Sequence, residues 1–215
     1  GSGLKQFVLS VLAVESTTAE GATHYNASAW VLNGSDIANA HLDGDDSTDP
    51  FALMAGKTSC HTGWLKSAGM LMPMGYLIKN GYVTPVGDST DVNSLRTTID
   101  NHFDGSASNG NPASIPDSGA LYSGYSGAIE CLSEGYGDVA FAKGDDFSTV
   151  EKYCGDDNAS ENEAWCLPMD QYVQLPSFGQ SPSHPVMYNP EKLDIHTRNA
   201  ILNAMLSWND EMWVD

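Results

Sequence analysis

Apolar residues fall along the chain in two rhythms, and the change from one to the other marks the elements. Residues 4–14 and 25–32 are dense in β-branched, aromatic and small apolar side chains and read as strands. Gly56-Lys57-Thr58-Ser59-Cys60-His61-Thr62-Gly63 reads as a short strand that breaks into a turn, with a helix behind it over 67–79. Met70, Met72 and Met74 are expected to pack from that helix. A helical stretch over 92–103 leads into a polar loop over 104–117. Tyr122-Ser123-Gly124-Tyr125-Ser126-Gly127 then repeats the strand-turn-helix pattern, entering Ala128-Ile129-Glu130-Cys131-Leu132-Ser133. Residues 137–142 read as a buried strand. Over 190–213, Leu193, Ile201, Leu202, Met205, Leu206 and Trp208 recur at helical spacing, which predicts an amphipathic helix with those positions in the core. Strands alternating with helices indicate an α/β fold. No internal repeat is visible.

Charge changes the picture first. The 215 residues carry 28 acidic against 9 basic side chains, a formal charge of −19. Phosphate backbones need a basic footprint, so nucleic acid is excluded as a partner. With 41% hydrophobic residues the chain has enough apolar material for a packed core. No apolar run reaches the roughly 18 residues of a membrane span. Residues 4–14 lack the charged start and cleavage site of a signal peptide, and a chain that opens inside a strand is expected to have further sequence upstream. The acidic stretch from His41 to Pro50 lacks the terminal glutamate of an EF-hand loop and is expected to be a solvated loop.

Cys60, Cys131, Cys154 and Cys166 show no CxxC spacing. Two disulfides and an oxidising compartment fit the even count, and a bridge between Cys154 and Cys166 would close a surface loop; four buried thiols are the alternative. Asn-x-Ser signatures stand at Asn26, Asn33 and Asn158.

The chemistry gathers at the two turns. Each places polar groups at the start of a helix, where unpaired N–H groups and the helix dipole attract an anion. Thr62 adds a hydroxyl and Lys66 a charge. No GxxxxGK[ST] loop is present, so nucleotide hydrolysis has no support. Asp138 and Glu130 lie near the turns, yet no Ser-His-Asp order, metal-hydrolase motif or close carboxylate pair accompanies them. No enzyme is expected, and Asp138 is expected to cap or pack beside a strand.

Taken together, four segments resemble the transferrin family in order. They are Ser59-Cys60-His61-Thr62-Gly63-Trp64-Leu65-Lys66-Ser67-Ala68-Gly69 with Pro73-Met74-Gly75; Gly124-Tyr125-Ser126-Gly127-Ala128-Ile129-Glu130-Cys131-Leu132; Gly135-Tyr136-Gly137-Asp138-Val139-Ala140-Phe141-Ala142-Lys143; and Pro182-Ser183-His184. The resemblance runs from about Leu4 to Met187 and covers about the last two thirds of one lobe. It implies a lobe related to type 2 periplasmic binding proteins, with two subdomains, a ligand cleft and an incomplete first subdomain. On that reading residues 1–32 lead from the first subdomain to the second, 33–181 form the second with its anion-binding turn, and 182–215 return to the first.

Residue by residue, the resemblance implies that Tyr25, Tyr125 and His184 bind ferric iron. Thr62, Lys66, Ala68 and Gly69 match the pocket of a synergistic carbonate or another oxyanion, and Cys60 and Cys131 fall where the family places a disulfide between the two turns. Lys66 stands where the family usually has arginine, and no residue here matches the family's aspartate ligand. His61 belongs to the anion turn in a structural role, while His24, His41, His102 and His196 match no motif. Ferric iron, a hard ion, favours phenolate oxygens over thiolates. Its binding must displace phenolic protons, so acid should release it, aided by protonation of His184. An alternative keeps the fold and changes the ligand: the solute-binding component of an ABC importer for phosphate, phosphonate or a related oxyanion. Either role implies an extracellular, cell-surface or periplasmic protein. Its partners would be a small inorganic ligand, a membrane transporter or receptor, and the missing N-terminal segment of the same lobe.

Overall fold

The computed structural model describes residues 9–14, 23–45, 47–88, 90–104, 115, 119, 121–145, 148–156 and 161–207. They fall into two compact units, a larger one over Tyr25–Ser181 and a smaller one formed by Gly1–His24 with Pro182–Asp215.

The larger unit is built on a mixed sheet. Its central strand β2 (His24–Leu32) pairs antiparallel with β4 (Val139–Gly144) and with β5 (Tyr172–Gln174), while β3 (Ser59–His61) runs parallel to β4. β6 (Gly179–Pro182) also pairs with β2. Side chains alternate across the two faces, as a pleated strand requires. Ala29, Val31, Val139 and Phe141 pack with Ile37 of α1 (Asp36–Leu42), Met74 and Leu77 of α2 (Met72–Lys79) and Ile99 of α3 (Val92–His102). Trp30, Ala140 and Ala142 pack with Ile129 and Leu132 of α4 (Gly124–Ser133) and Val150 of α5 (Thr149–Cys154). A sheet covered by helices on both faces is the α/β architecture that the alternation of elements predicts.

All four cysteines are bridged. Cys60 on β3 joins Cys131 on α4 across a Cα separation of 6.1 Å, and Cys154 joins Cys166 at 5.5 Å. The first bridge passes so close to Gly137 that a Cβ there would overlap Cys60 Sγ. Asp138 is the expected cap: its carboxylate accepts the Thr58 N–H at 2.8 Å, where β3 and β4 begin their pairing.

Some elements differ from the sequence expectation. Tyr122 is not in a strand but in a turn, at φ +61°, and α4 begins at Gly124. The first turn of the helix expected over 67–79 is a π-helix, Ser67–Leu71, before α2 takes over. Met70 and Met74 are buried beneath it and Met72 is partly so. Helix α1, capped by the Ser35 hydroxyl at Ala38 N, occupies a stretch that carried no element in the sequence reading.

In the smaller unit β1 (Ser10–Val14) pairs antiparallel with β7 (Pro185–Tyr188), with an irregularity between Val11 and Ala13. The last helix, α6 (Ile195–Leu206), starts on an Asp194 cap that accepts the N–H groups of His196 and Thr197. Its apolar positions do not form a core. No residue of α6 is buried, Leu206 is 75% exposed, and Leu193 lies outside the helix and is only partly buried. Trp208 and residues 4–8 lie outside the described residues. The physical reason is the lack of a covering layer, since within this unit the described residues offer only a two-stranded ribbon.

Candidate functional site

The chain leaves β3 at His61 and turns sharply through Thr62, Gly63 (φ +151°) and Leu65 (φ +60°) before Lys66 opens the π-helical turn in extended conformation. Bonds from Lys66 N to Gly63 O (3.2 Å) and from Leu71 N to Lys66 O (2.9 Å) hold the turn. The first N–H groups of such a helix have no intrahelical acceptor and carry the positive end of its dipole.

His61 anchors this geometry from beneath. Its Nδ1 lies 2.7 Å from the Gly69 carbonyl and its Nε2 lies 2.9 Å from Ser59 Oγ. A carbonyl only accepts, so Nδ1 carries the proton and Nε2 accepts from the serine hydroxyl. Complete burial lowers the imidazole pKa to about 4, against the opposing pull of the Gly69 carbonyl, so the ring is neutral at physiological pH. The structural role expected for His61 is the one its contacts show.

Thr62 is 5% exposed, and its Oγ1 has no hydrogen-bond partner among the described residues. A Cβ on Gly69 would overlap that oxygen. The hydroxyl is thus pressed against the backbone of the helix start, where only glycine leaves room for it. Buried hydroxyls are nearly always paired, and an anion at this helix end would satisfy this one. Ala68 and Gly69 are buried in the same turn, while Lys66 is exposed at its mouth.

The two tyrosines lie beside it. Tyr25, 7% exposed, is the first residue of the larger unit, on β2; Tyr125 is half-buried in the first turn of α4. Their side chains pack together, with the Tyr25 hydroxyl near enough to act on the Tyr125 phenol. Burial, and then the neighbouring Tyr25 hydroxyl, push the Tyr125 phenol well above the usual tyrosine range. Tyr25 and Ala68 pack together, with Tyr125 against them, so the Thr62–Gly69 turn and the two tyrosines are contiguous. A bond from Gly124 N to Thr62 O (2.8 Å) ties the start of α4 to the same turn.

Lys143, on β4 opposite Ala27, completes the group. Its Nζ lies 4.2 Å from the Tyr25 ring centroid and 5.0 Å from that of Tyr125. Lys143 ends the Gly135–Lys143 segment, whose sequence assigns it no role. The signal was available, because Lys143 is the one charged residue in the otherwise buried run Val139–Gly144.

His184 lies in the smaller unit, between β6 and β7, with an exposed side chain. No group of three or more His, Cys, Asp and Glu side chains among the described residues could hold a metal. In the acidic loop the carboxylates of Asp43, Asp45 and Asp49 are hydrogen-bonded. Asp43 accepts the Thr48 hydroxyl at 2.9 Å, Asp45 the Ser47 N–H at 2.9 Å, and Asp49 the Tyr82 hydroxyl at 2.6 Å.

The sequence profile of the family described as Transferrin matches residues 2–117 and 104–192. The chain belongs to the transferrin family. It is 32% identical to ovotransferrin of Gallus gallus over 191 residues, covering 80% of this chain and 24% of that protein. It is 30% identical to serotransferrin of Oryctolagus cuniculus over 187 residues, covering 77% and 23%. The chain therefore spans about a quarter of the length of these relatives. Among solved structures, transferrin 1 of Manduca sexta shares the fold with a TM-score of 0.54 at 20% identity, over 84% of this chain and 30% of that one. The α/β architecture is that of a transferrin lobe. In this transferrin the cation beside the Thr62–Gly69 turn is Lys66, a point charge without the bidentate fork of arginine.

Proposed function

We propose that this transferrin chain captures ferric iron as cargo, outside the cell, together with carbonate or a similar oxyanion. The observation that carries the reading is the Tyr25–Tyr125 phenol pair packed against a helix start whose Thr62 hydroxyl has no partner among the described residues. Tyr25 and Tyr125 supply phenolate oxygens, and the family resemblance adds His184 as an imidazole donor. Thr62, Lys66 and the backbone N–H groups of Ala68 and Gly69 hold the anion. Two phenolates offset much of a ferric ion's charge, and a bidentate anion offsets the rest, which is why the two ligands would bind together. Cargo binding needs no catalytic group, and none is assigned. The exposed apolar positions of the smaller unit, Val11 (57%) and Leu206 (75%) among them, would be covered by further polypeptide of the same lobe.

Calorimetry with ferric iron, in buffer with and without bicarbonate, tests the reading. Tight iron binding that requires bicarbonate supports it. Tight phosphate or phosphonate binding with no iron uptake would instead make the protein a solute-binding component for an oxyanion importer.

A further inference from the structure

We infer that Asn33 is a glycan acceptor, modified at Nδ2 by an N-linked oligosaccharide, and that Asn26, which carries the same Asn-x-Ser signature, stays unmodified in the folded protein. The two sites differ in everything except sequence. Asn33 occupies the tight turn between β2 and α1, closed by a bond from Ser35 N to Leu32 O (3.2 Å) with Gly34 at φ +83°. Asn33 and Gly34 are both exposed. The Asn33 amide donates one hydrogen to the Asp170 carbonyl at 3.1 Å and has a second to exchange.

The modification balances at that atom. Nδ2 forms a bond to the anomeric carbon of an oligosaccharide carried on a lipid diphosphate. The carbon–oxygen bond to the diphosphate breaks and the leaving group takes the electron pair. One amide proton passes to a base of the transferase, and the hydrogen that remains preserves the bond to Asp170. The amide stays neutral, so no buried charge is created.

Asn26 lies inside β2, flanked by the buried residues Tyr25 and Ala27 and opposite Gly144. Its Nδ2 donates to Asp145 Oδ2 at 2.6 Å, while the other oxygen of that carboxylate accepts Gln174 Nε2 at 2.7 Å. Asn26 is half-buried within a paired strand, so a glycan there would crowd the Asp145–Gln174 network beside Tyr25, where the exposed Asn33 turn leaves room. The two disulfides fit the oxidising secretory route on which such transfer takes place. Nothing in this inference depends on iron or on the anion.

The test is glycopeptide mapping of the folded protein secreted from cultured animal cells. The expected result is an oligosaccharide mass on the Asn33 peptide and an unmodified Asn26 peptide. Asn33→Gln and Ser35→Asp should each lose that mass. Ser35→Asp keeps a side chain able to cap α1, so the loss can be read on a folded chain. The readout is the oligosaccharide mass itself, because an Asn-Gly pair also deamidates without a glycan. An unmodified Asn33 peptide, or a glycan on Asn26 of the folded protein, would overturn the inference.

Discussion

The ammonium of Lys143 lies over the ring of Tyr25, 4.2 Å from its centroid, and within 5.0 Å of the Tyr125 centroid as well. A cation so placed is attracted to the ring faces. Lys143→Gln should therefore destabilise the iron-free protein by about 1 kcal/mol, the usual size of a partly desolvated cation–π contact, and lower its urea midpoint. An unchanged midpoint would show that the lysine does not hold the two rings.

Thr62→Val should have opposite effects on stability and binding. Removing a buried hydroxyl that has no partner among the described residues removes its desolvation penalty, so the iron-free protein should be unchanged or more stable, by up to about 1–3 kcal/mol. Anion affinity should fall, since the hydroxyl is one of the donors assigned to it. Chemical denaturation paired with anion titration reads both. Loss of stability in the iron-free variant would mean that Thr62 has a structural partner.

Gly69→Ala tests the same spot from the other side. The added methyl overlaps Thr62 Oγ1, and overpacking of this kind costs typically about 1–3 kcal/mol. The urea midpoint should drop, and anion binding should weaken with it. A variant of native stability and affinity would contradict the close approach of Gly69 and Thr62.

His61 makes stability depend on pH. Its imidazole sits near pKa 4 when folded and near 6.5 when unfolded, so between those values the unfolded chain binds more protons. The stabilisation is complete above pH 6.5 and is lost as pH falls through 4, by about 3 kcal/mol in all. Urea midpoints measured from pH 7 to 4 should fall, and the fall should be shallower in His61→Gln, although that variant starts less stable. Equal slopes in the two proteins would remove His61 as the cause.

Much of the larger unit was legible in sequence because its signals are local. The run Val139–Gly144 is a buried strand whatever surrounds it, and the glycine-flanked turns announce helix starts. The short strands β5, β6 and β7 were not legible, since three or four residues become a strand only through a partner distant in the chain. Helix α6 shows the converse. Its periodicity is right for a helix, but burial depends on a covering layer that the described residues do not include. Tyr122 looked like a strand residue, whereas Gly127 approaches its backbone so closely that a Cβ there would overlap it, and the chain turns at φ +61°. At the candidate site the residue types were readable from motifs. The packing of the two tyrosines and the place of Lys143 above them depend on three separate elements meeting, which no local pattern records.

The central claim is that Tyr25 and Tyr125 bind ferric iron as phenolates. Adding ferric iron and bicarbonate to the protein, and to Tyr125→Phe, while recording the visible spectrum and proton release tests it most directly. The account predicts a tyrosinate-to-iron charge-transfer band with about two phenolic protons released per ion, and one more where bicarbonate binds as carbonate, so that the iron dissociation constant rises at least about a hundredfold for each pH unit lost. The band should disappear in Tyr125→Phe. No band with the unaltered protein, or the same band in the variant, would contradict the claim.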